Sequence, residues 1–258
     1  MEVEKKITLE RIHELAENAV KVTPRTNSSK LFNALSKKSK ISDIKNLSKE
    51  LSRVLYDSLV ETQVYNPESL EETKTRCIDQ LVIAVRDLTG IEYTEKREGR
   101  GKSSLTDYMF ETRHNGITNR LVIEAKSFNN SIFTAKHRLN ISKASQSCRK
   151  TTSNSNGEGY GLMILTNGRE LAVFLQGVTE CTSPLSKGWQ PLRDISKPIL
   201  TMSCYEITDK QCDVLAYLIY NTLVGKHSLV IDTVKNVFEE EVKELIYEFE
   251  NRGFVVEE

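Results

Sequence analysis

Two carboxylates and a lysine stand at a spacing that suits metal-assisted hydrolysis. The segment Arg120-Leu-Val-Ile-Glu-Ala-Lys126 alternates in the manner of a β-strand. Side chains of a strand point alternately to its two faces, so we expect Glu124 and Lys126 on one face and Leu121, Ile123 and Ala125 on the other. Burying such charges unpaired is costly. They either pair with each other, as a surface ion pair on an edge strand, or serve a charged group between them.

A second carboxylate, Asp107, lies in the preceding predicted strand. His114-Asn115-Gly116 has the composition of a hairpin turn, which would bring Asp107 across the sheet to Glu124. Two carboxylates beside a lysine suit a hard cation, Mg²⁺ or Mn²⁺. Such an ion lowers the pKa of a bound water and neutralises phosphate charge. Lys126 would orient the attacking water or stabilise developing charge. The preceding helix offers Glu71 and Glu72 as a further carboxylate.

The elements that must position these residues follow from the periodicity of the sequence. We expect an α/β chain whose mixed central sheet is flanked by helices. Helices are predicted over 6–22, 30–35, 44–64, 67–89, 134–150, 208–223 and 232–252. Strands are predicted over 91–95, 105–112, 120–127, 160–165 and 169–175, and residues 178–200 are rich in loops. Asn66 is a candidate N-cap with Pro67 at the first helical position, and Gly90 ends that helix.

These motifs resemble a known nuclease superfamily. Asp107 followed by Glu124-Ala-Lys126 is similar to the PD-(D/E)xK motif, with Thr106 in the place of its proline. The order helix–strand–strand–strand–helix–strand resembles the restriction-endonuclease-like core of that superfamily. Gln146 in the next helix and Thr166-Asn167-Gly168 after a strand resemble the N-terminal nuclease domain of type I restriction enzyme R subunits. After residue 176, about 80 residues remain, too few for the helicase of those subunits.

The resemblance covers about residues 68–176 and implies roles for particular residues. Glu72 lies in Glu72-Thr-Lys-Thr-Arg76-Cys-Ile-Asp79-Gln-Leu81, which resembles the first helix of the family and implies a metal-site glutamate. The implied catalytic set is Glu72, Asp107, Glu124 and Lys126, with the three carboxylates as metal ligands. Gln146 is implied as a DNA-contacting or metal-shell residue. The Gln helix of the family often carries a tyrosine four residues on, where this chain has Lys150.

Charge segregation favours a polyanionic partner. The 36 basic and 36 acidic residues balance, yet residues 94–152 hold 12 basic and 5 acidic groups, a net charge of +7. Such a block favours a surface that faces nucleic acid, although a solvated face paired with the acidic C-terminus would also explain it. Gly99-Arg-Gly-Lys102-Ser103 lacks the first glycine and the following helix of a phosphate loop, which argues against an ATPase. Lys102, Arg149 and Lys150 are therefore predicted contacts to nucleic acid.

Other classes are disfavoured. No apolar run approaches the 18 residues that would predict a membrane helix. Five scattered cysteines favour neither a disulfide framework nor a zinc site and suggest a reducing, cytoplasmic compartment. The predicted domains are a helical extension over 1–66, a nuclease-like core over 67–205 and a helical region over 206–258.

The resulting hypothesis is a Mg²⁺- or Mn²⁺-dependent DNA endonuclease of restriction, defence or a mobile element. Cutting both strands from one site per chain would favour a homodimer. An inactive nuclease-fold protein that binds nucleic acid, or a nuclease directed at RNA, remains open from the sequence.

Overall fold

The computed structural model describes residues 5–20, 30–39, 44–95, 107–115, 117–132, 159–178 and 198–257. It is a mixed α/β structure in which a six-stranded, mostly antiparallel sheet is flanked by helices. The helical elements are α1 (Leu9–Val20), α2 (Lys30–Lys38), α3 (Lys45–Tyr65), α4 (Leu70–Thr73), a π-turn (Lys74–Ile78), α5 (Asp79–Thr89), α6 (Asp209–Leu223) and α7 (His227–Asn251). The strands are β1 (Lys5–Thr8), β2 (Tyr93–Glu95), β3 (Tyr108–His114), β4 (Ile117–Ala125), β5 (Gly159–Thr166), β6 (Glu170–Val178), β7 (Leu200–Ser203) and β8 (Phe254–Glu257).

The large sheet has the order β2-β3-β4-β5-β6-β7. Strands β2, β3 and β4 form an antiparallel meander, and β4 then pairs with β5 in parallel. A parallel pair requires a crossover connection between its two strands. The chain returns through the antiparallel strands β6 and β7. Strand β4, which carries Glu124, therefore lies inside the sheet.

Strand β4 shows the predicted alternation of faces. Leu121, Ile123 and Ala125 are buried in the main hydrophobic core. Val122 belongs instead to a smaller cluster on the opposite face, with Met163 as its partner on β5. Glu124 follows Val122 on that second face at the end of the strand. The two-faced burial explains why the segment is almost wholly apolar before its charged end.

The main core joins all parts of the described chain. It includes Leu51 from α3, Val85 from α5, Leu121 from β4 and Leu215 from α6. Helix α6 is buried along most of its length and packs against α3, β4 and β5. Its start is fixed by a capping box, in which Thr208 and Gln211 satisfy each other's backbone amides. One core cluster thus contains side chains from each of the three predicted domains, 1–66, 67–205 and 206–258.

Several predicted elements differ from the structure. The predicted helix over 6–22 begins as strand β1, which pairs in parallel with β8 at the other end of the chain. Ile7 fits a helical or an extended pattern equally well, and a partner about 250 residues away decides between them. Strands β7 and β8 were not predicted, and α7 begins at His227 rather than at 232.

The predicted N-cap Asn66 is also wrong. Asn66 has a left-handed φ of 40°, and the helix begins three residues later, after Ser69. The Ser69 side chain accepts a hydrogen bond from the Glu72 amide at 3.1 Å. The serine cap thus satisfies a helical amide that Asn66 does not reach. The C-terminal end is as predicted, because Gly90 adopts a left-handed φ of 69°.

Candidate active site

The structure places Asp107 and Glu124 opposite each other. The pairing of Tyr108 with Ile123 ends the β3–β4 ladder, and the residues next to this pair are Asp107, just before β3, and Glu124, within β4. The hairpin is tight, since His114 pairs with Ile117 and Asn115 adopts a left-handed φ of 51°. The Ala125 amide donates to Asp107 Oδ2 at 2.8 Å and so fixes this carboxylate beside the end of β4.

Glu124 and Lys126 form a largely buried ion pair. Lys126 Nζ lies 2.6 Å from Glu124 Oε1, and the two side chains are 19% and 13% exposed. Because β4 is an interior strand, the pair is not the surface ion pair of an edge strand that the sequence left open. Removing two charges from water carries a desolvation cost that surface pairs avoid. Either a catalytic site or a structural cluster of charged residues would carry this desolvation cost.

Lys74, a residue that the sequence did not single out, completes the charge cluster. Its Nζ lies 2.8 Å from Asp107 Oδ1, and the two side chains are 10% and 13% exposed. Lys74 is the first residue of the π-turn, and such π-bulges inside helices occur often at functional sites. The Tyr108 ring lies 5.7 Å from the ammonium, and the Tyr108 hydroxyl donates to Asp79 at 2.5 Å.

Glu72 is exposed at the start of α4. Its Oε2 accepts a hydrogen bond from the Glu68 amide at 2.9 Å, so the carboxylate is bound to the chain just before the helix. Glu71 is exposed as well. The next residue, Thr73, is fully buried and accepts from the Phe128 amide at 3.1 Å. This bond places the start of the helix against the segment that follows Lys126.

The Thr-Asn-Gly turn braces the same segment from the other side. The Lys126 amide donates to the Thr166 carbonyl at 2.8 Å. Asn167 is fully buried, and its Nδ2 donates to the Asn130 carbonyl at 2.9 Å. Glu170 accepts from the Ile132 amide at 2.9 Å. The Thr-Asn-Gly turn therefore holds the chain in place directly after β4.

Gly168 lets this turn approach the π-turn. Its φ is +86°, and a Cβ built there would lie 2.7 Å from the Cβ of Cys77. Ser58 of α3 also donates to the Gly168 carbonyl, at 3.4 Å. The neighbouring Arg169 guanidinium stacks 5.2 Å from the Phe128 ring. The turn thus connects α3, the π-turn and the end of β4.

A buried thiol beside the π-turn, that of Cys204, is not poised for chemistry. The three cysteines that the structure describes, Cys77, Cys204 and Cys212, are buried. Burial, reinforced by the neighbouring Cys77, raises the pKa of the Cys204 thiol to about 12. A thiol that stays protonated is neither a nucleophile nor a metal ligand. The chemistry of the site therefore rests on its carboxylates and lysines.

The donor set of the site fits a magnesium ion. Within the residues that the structure describes, no group of three or more His, Cys, Asp or Glu side chains is placed to hold a metal. Mg²⁺ is commonly held by one or two carboxylates together with waters and substrate phosphates. Asp107 and Glu124, opposed on neighbouring strands, meet that lower requirement. One oxygen of each carboxylate contacts a lysine, so a metal would have to share or replace those contacts.

The predicted nucleic-acid contacts Lys102, Gln146, Arg149 and Lys150, and the helix over 134–150, lie outside the described residues. No helix of the described segments is long and apolar enough to cross a membrane. The chain matches no known protein family, no curated protein and no solved structure in the three comparisons made. Geometry and chemistry alone therefore carry the functional argument.

Proposed function

We propose that this chain is a metal-dependent nuclease that hydrolyses phosphodiester bonds, with DNA as the substrate and an internal bond as the point of cleavage. The observation that carries the proposal is the convergence of Asp107, Glu124 and Lys126 at the ends of two neighbouring strands. These side chains are largely buried, and Lys126 Nζ lies 2.6 Å from Glu124.

The strand order supports a restriction-endonuclease-like core as part of this proposal. An antiparallel meander, β2-β3-β4, leads to a strand paired in parallel with β4. The motif residues lie where the meander ends, next to the parallel pair. Ligands of mixed and parallel sheets commonly bind at strand ends, where loops and helices converge. The pairing of the strands and the location of the charged residues thus both support the proposed core.

Each residue has a chemical role in the proposed reaction. Asp107 and Glu124 would hold Mg²⁺ or Mn²⁺. Glu72, the further carboxylate that the resemblance implies, is exposed and accepts from the Glu68 amide, so the proposal rests on the other two. The bound ion would supply a water of lowered pKa and offset phosphate charge. Lys126 would orient that water beside Glu124 and stabilise the charge that develops on the phosphate. The Ala125 amide keeps Asp107 in position for this role.

The proposal is tested by plasmid cleavage with the purified full chain in Mg²⁺, Mn²⁺ or EDTA. Lys126→Met and Asp107→Asn should each lower the cleavage rate at least about 100-fold, a typical loss for a catalytic group. Asp107→Asn keeps an oxygen that can accept from the Ala125 amide, which limits damage to the fold. Lys210→Met, at an exposed lysine of α6, is the matched control and should cleave normally. Normal cleavage by both site variants would reject the assignment.

A nucleic-acid-binding protein without nuclease activity is the second candidate. It is favoured by one observation, that each carboxylate contacts a lysine at 2.6 or 2.8 Å, as in a structural charge cluster. Such a protein would bind DNA or RNA in a salt-dependent manner and cleave neither. Parallel assays with plasmid, single-stranded DNA and RNA distinguish this candidate from a DNA nuclease and from an RNA-directed nuclease.

A further inference from the structure

The helix expected to supply a third carboxylate contributes a cation to the site. Lys74 lies two residues after Glu72, and its ammonium contacts Asp107 Oδ1 at 2.8 Å. Its side chain is only 10% exposed, so this is a built position rather than a transient surface contact. The π-turn begins at this residue.

Among the residues that the structure describes, the four charged groups of these two ion pairs balance without a metal. Asp107 and Glu124 carry two negative charges, and Lys74 and Lys126 carry two positive ones. A divalent cation added to these four groups would give them a net charge of +2 in a largely desolvated place. Such an excess is unfavourable because charges repel more strongly where water is excluded. Metal binding is therefore expected to require the departure of one lysine from its carboxylate.

Lys74 is the lysine that is better placed to leave. Lys126 lies two residues from its partner on the same strand, and its backbone is fixed by the hydrogen bond to Thr166. Lys74 reaches Asp107 from a separate element, by a long and flexible side chain. Asp107 Oδ2 already accepts from the Ala125 amide, so Oδ1, which Lys74 contacts, is the oxygen more open to a metal.

We propose that Lys74 is a built-in competitor of the metal, whose ammonium neutralises Asp107 in the metal-free protein and must withdraw before Mg²⁺ or Mn²⁺ binds. This inference rests on the proposed function, because it assumes that Asp107 is a metal ligand. Lys74 acts through Asp107 and is a positioning residue. It lowers the affinity of the free protein for metal and keeps the carboxylate in place until the ion arrives.

The test measures metal affinity without nucleic acid. The full chain, stripped with EDTA and dialysed, is titrated with Mn²⁺ by calorimetry and by electron paramagnetic resonance. Lys74→Met should lower the dissociation constant for Mn²⁺ at least tenfold. Lys74→Gln, a polar and uncharged replacement, should do the same and serves if the methionine variant fails to fold. Lys210→Met, at an exposed lysine, should leave the constant unchanged, and Asp107→Asn in the Lys74→Met background should abolish the gain.

The outcomes separate this inference from the proposed function. An unchanged or weaker affinity in both Lys74 variants overturns the role of Lys74, and the cleavage assay still decides whether the chain is a nuclease. The absence of Mn²⁺ binding from every variant also overturns it. Tighter binding that depends on Asp107 supports the inference whether or not the plasmid is cut. Because the readout is metal affinity, damage to catalysis alone would not imitate the expected result.

Discussion

The ion pair between Lys74 and Asp107 gives the sharpest stability prediction. At 2.8 Å, with an effective dielectric constant of about 20, the attraction between the two charges is about 6 kcal/mol before desolvation is counted. Removing one partner of a buried pair typically costs about 3–5 kcal/mol, and the slight exposure of both side chains places this pair near about 3 kcal/mol. For a chain of this size that loss lowers Tm by about 6–12 °C.

The assay is urea denaturation in EDTA, which removes any contribution from bound metal. Asp107→Asn and Lys74→Met should each lower the free energy of unfolding by about 3 kcal/mol. The double variant should lose about 2 kcal/mol less than the sum of the two, because the charges are removed together. Lys6→Met, which breaks an exposed pair with Glu257, is the control and should cost less than about 1 kcal/mol. Strictly additive losses in the double variant would refute the argument that the buried charges depend on each other.

Three further predictions concern the surroundings of the site. Gly168→Ala should destabilise the fold by about 2–3 kcal/mol in urea, because it adds a Cβ against Cys77 at a positive φ. Gly90→Ala also has a positive φ but has open space around it, so it should cost only about 1 kcal/mol. Equal losses in the two variants would contradict the close approach of Gly168 to Cys77. Ser69→Ala should cost about 1 kcal/mol by removing the N-cap of α4, and an unchanged urea midpoint would count against the cap. The pKa of the Cys204 thiol is raised to about 12 in the folded protein, so its contribution to stability is fully present below about pH 9 and is lost as the pH rises towards 12, where only the unfolded thiol ionises. In that range the free energy of unfolding should fall by about 1.4 kcal/mol per pH unit more than in Cys204→Ala. Parallel curves of unfolding free energy against pH for the two proteins would reject this reasoning.

The core of the candidate site could be read from the sequence because it depends on local rules. Alternation within one strand put Glu124 and Lys126 on the same face, and the hairpin predicted between the two strands brought Asp107 to Glu124. Extending the strand register by one residue beyond the pair Tyr108–Ile123 places the two carboxylates opposite each other. Spacing along the chain therefore contained most of the information about this pair.

Lys74 could not be predicted by the same rules. Helical periodicity gave no signal for it, because Lys74 lies where the regular helix gives way to the π-turn over Lys74–Ile78. The turn is formed where the helix packs against Gly168 and the end of β4, which are distant in sequence. The role of the Thr-Asn-Gly turn as a brace likewise depends on contacts with the segment after β4.

The sequence by itself determined the alternating strands, the Asn-Gly turn and the end of the helix at Gly90. It also determined the candidate residues Asp107, Glu124 and Lys126, since each of these features depends on residues close together in the chain. Only the tertiary structure decided that residues 5–8 form a strand, that β4 lies inside the sheet and that Lys74 contacts Asp107. A strand needs a partner and a buried charge needs a counter-charge, and here both are supplied by distant parts of the chain. Local propensity does not depend on such distant partners, so tertiary packing determines these features.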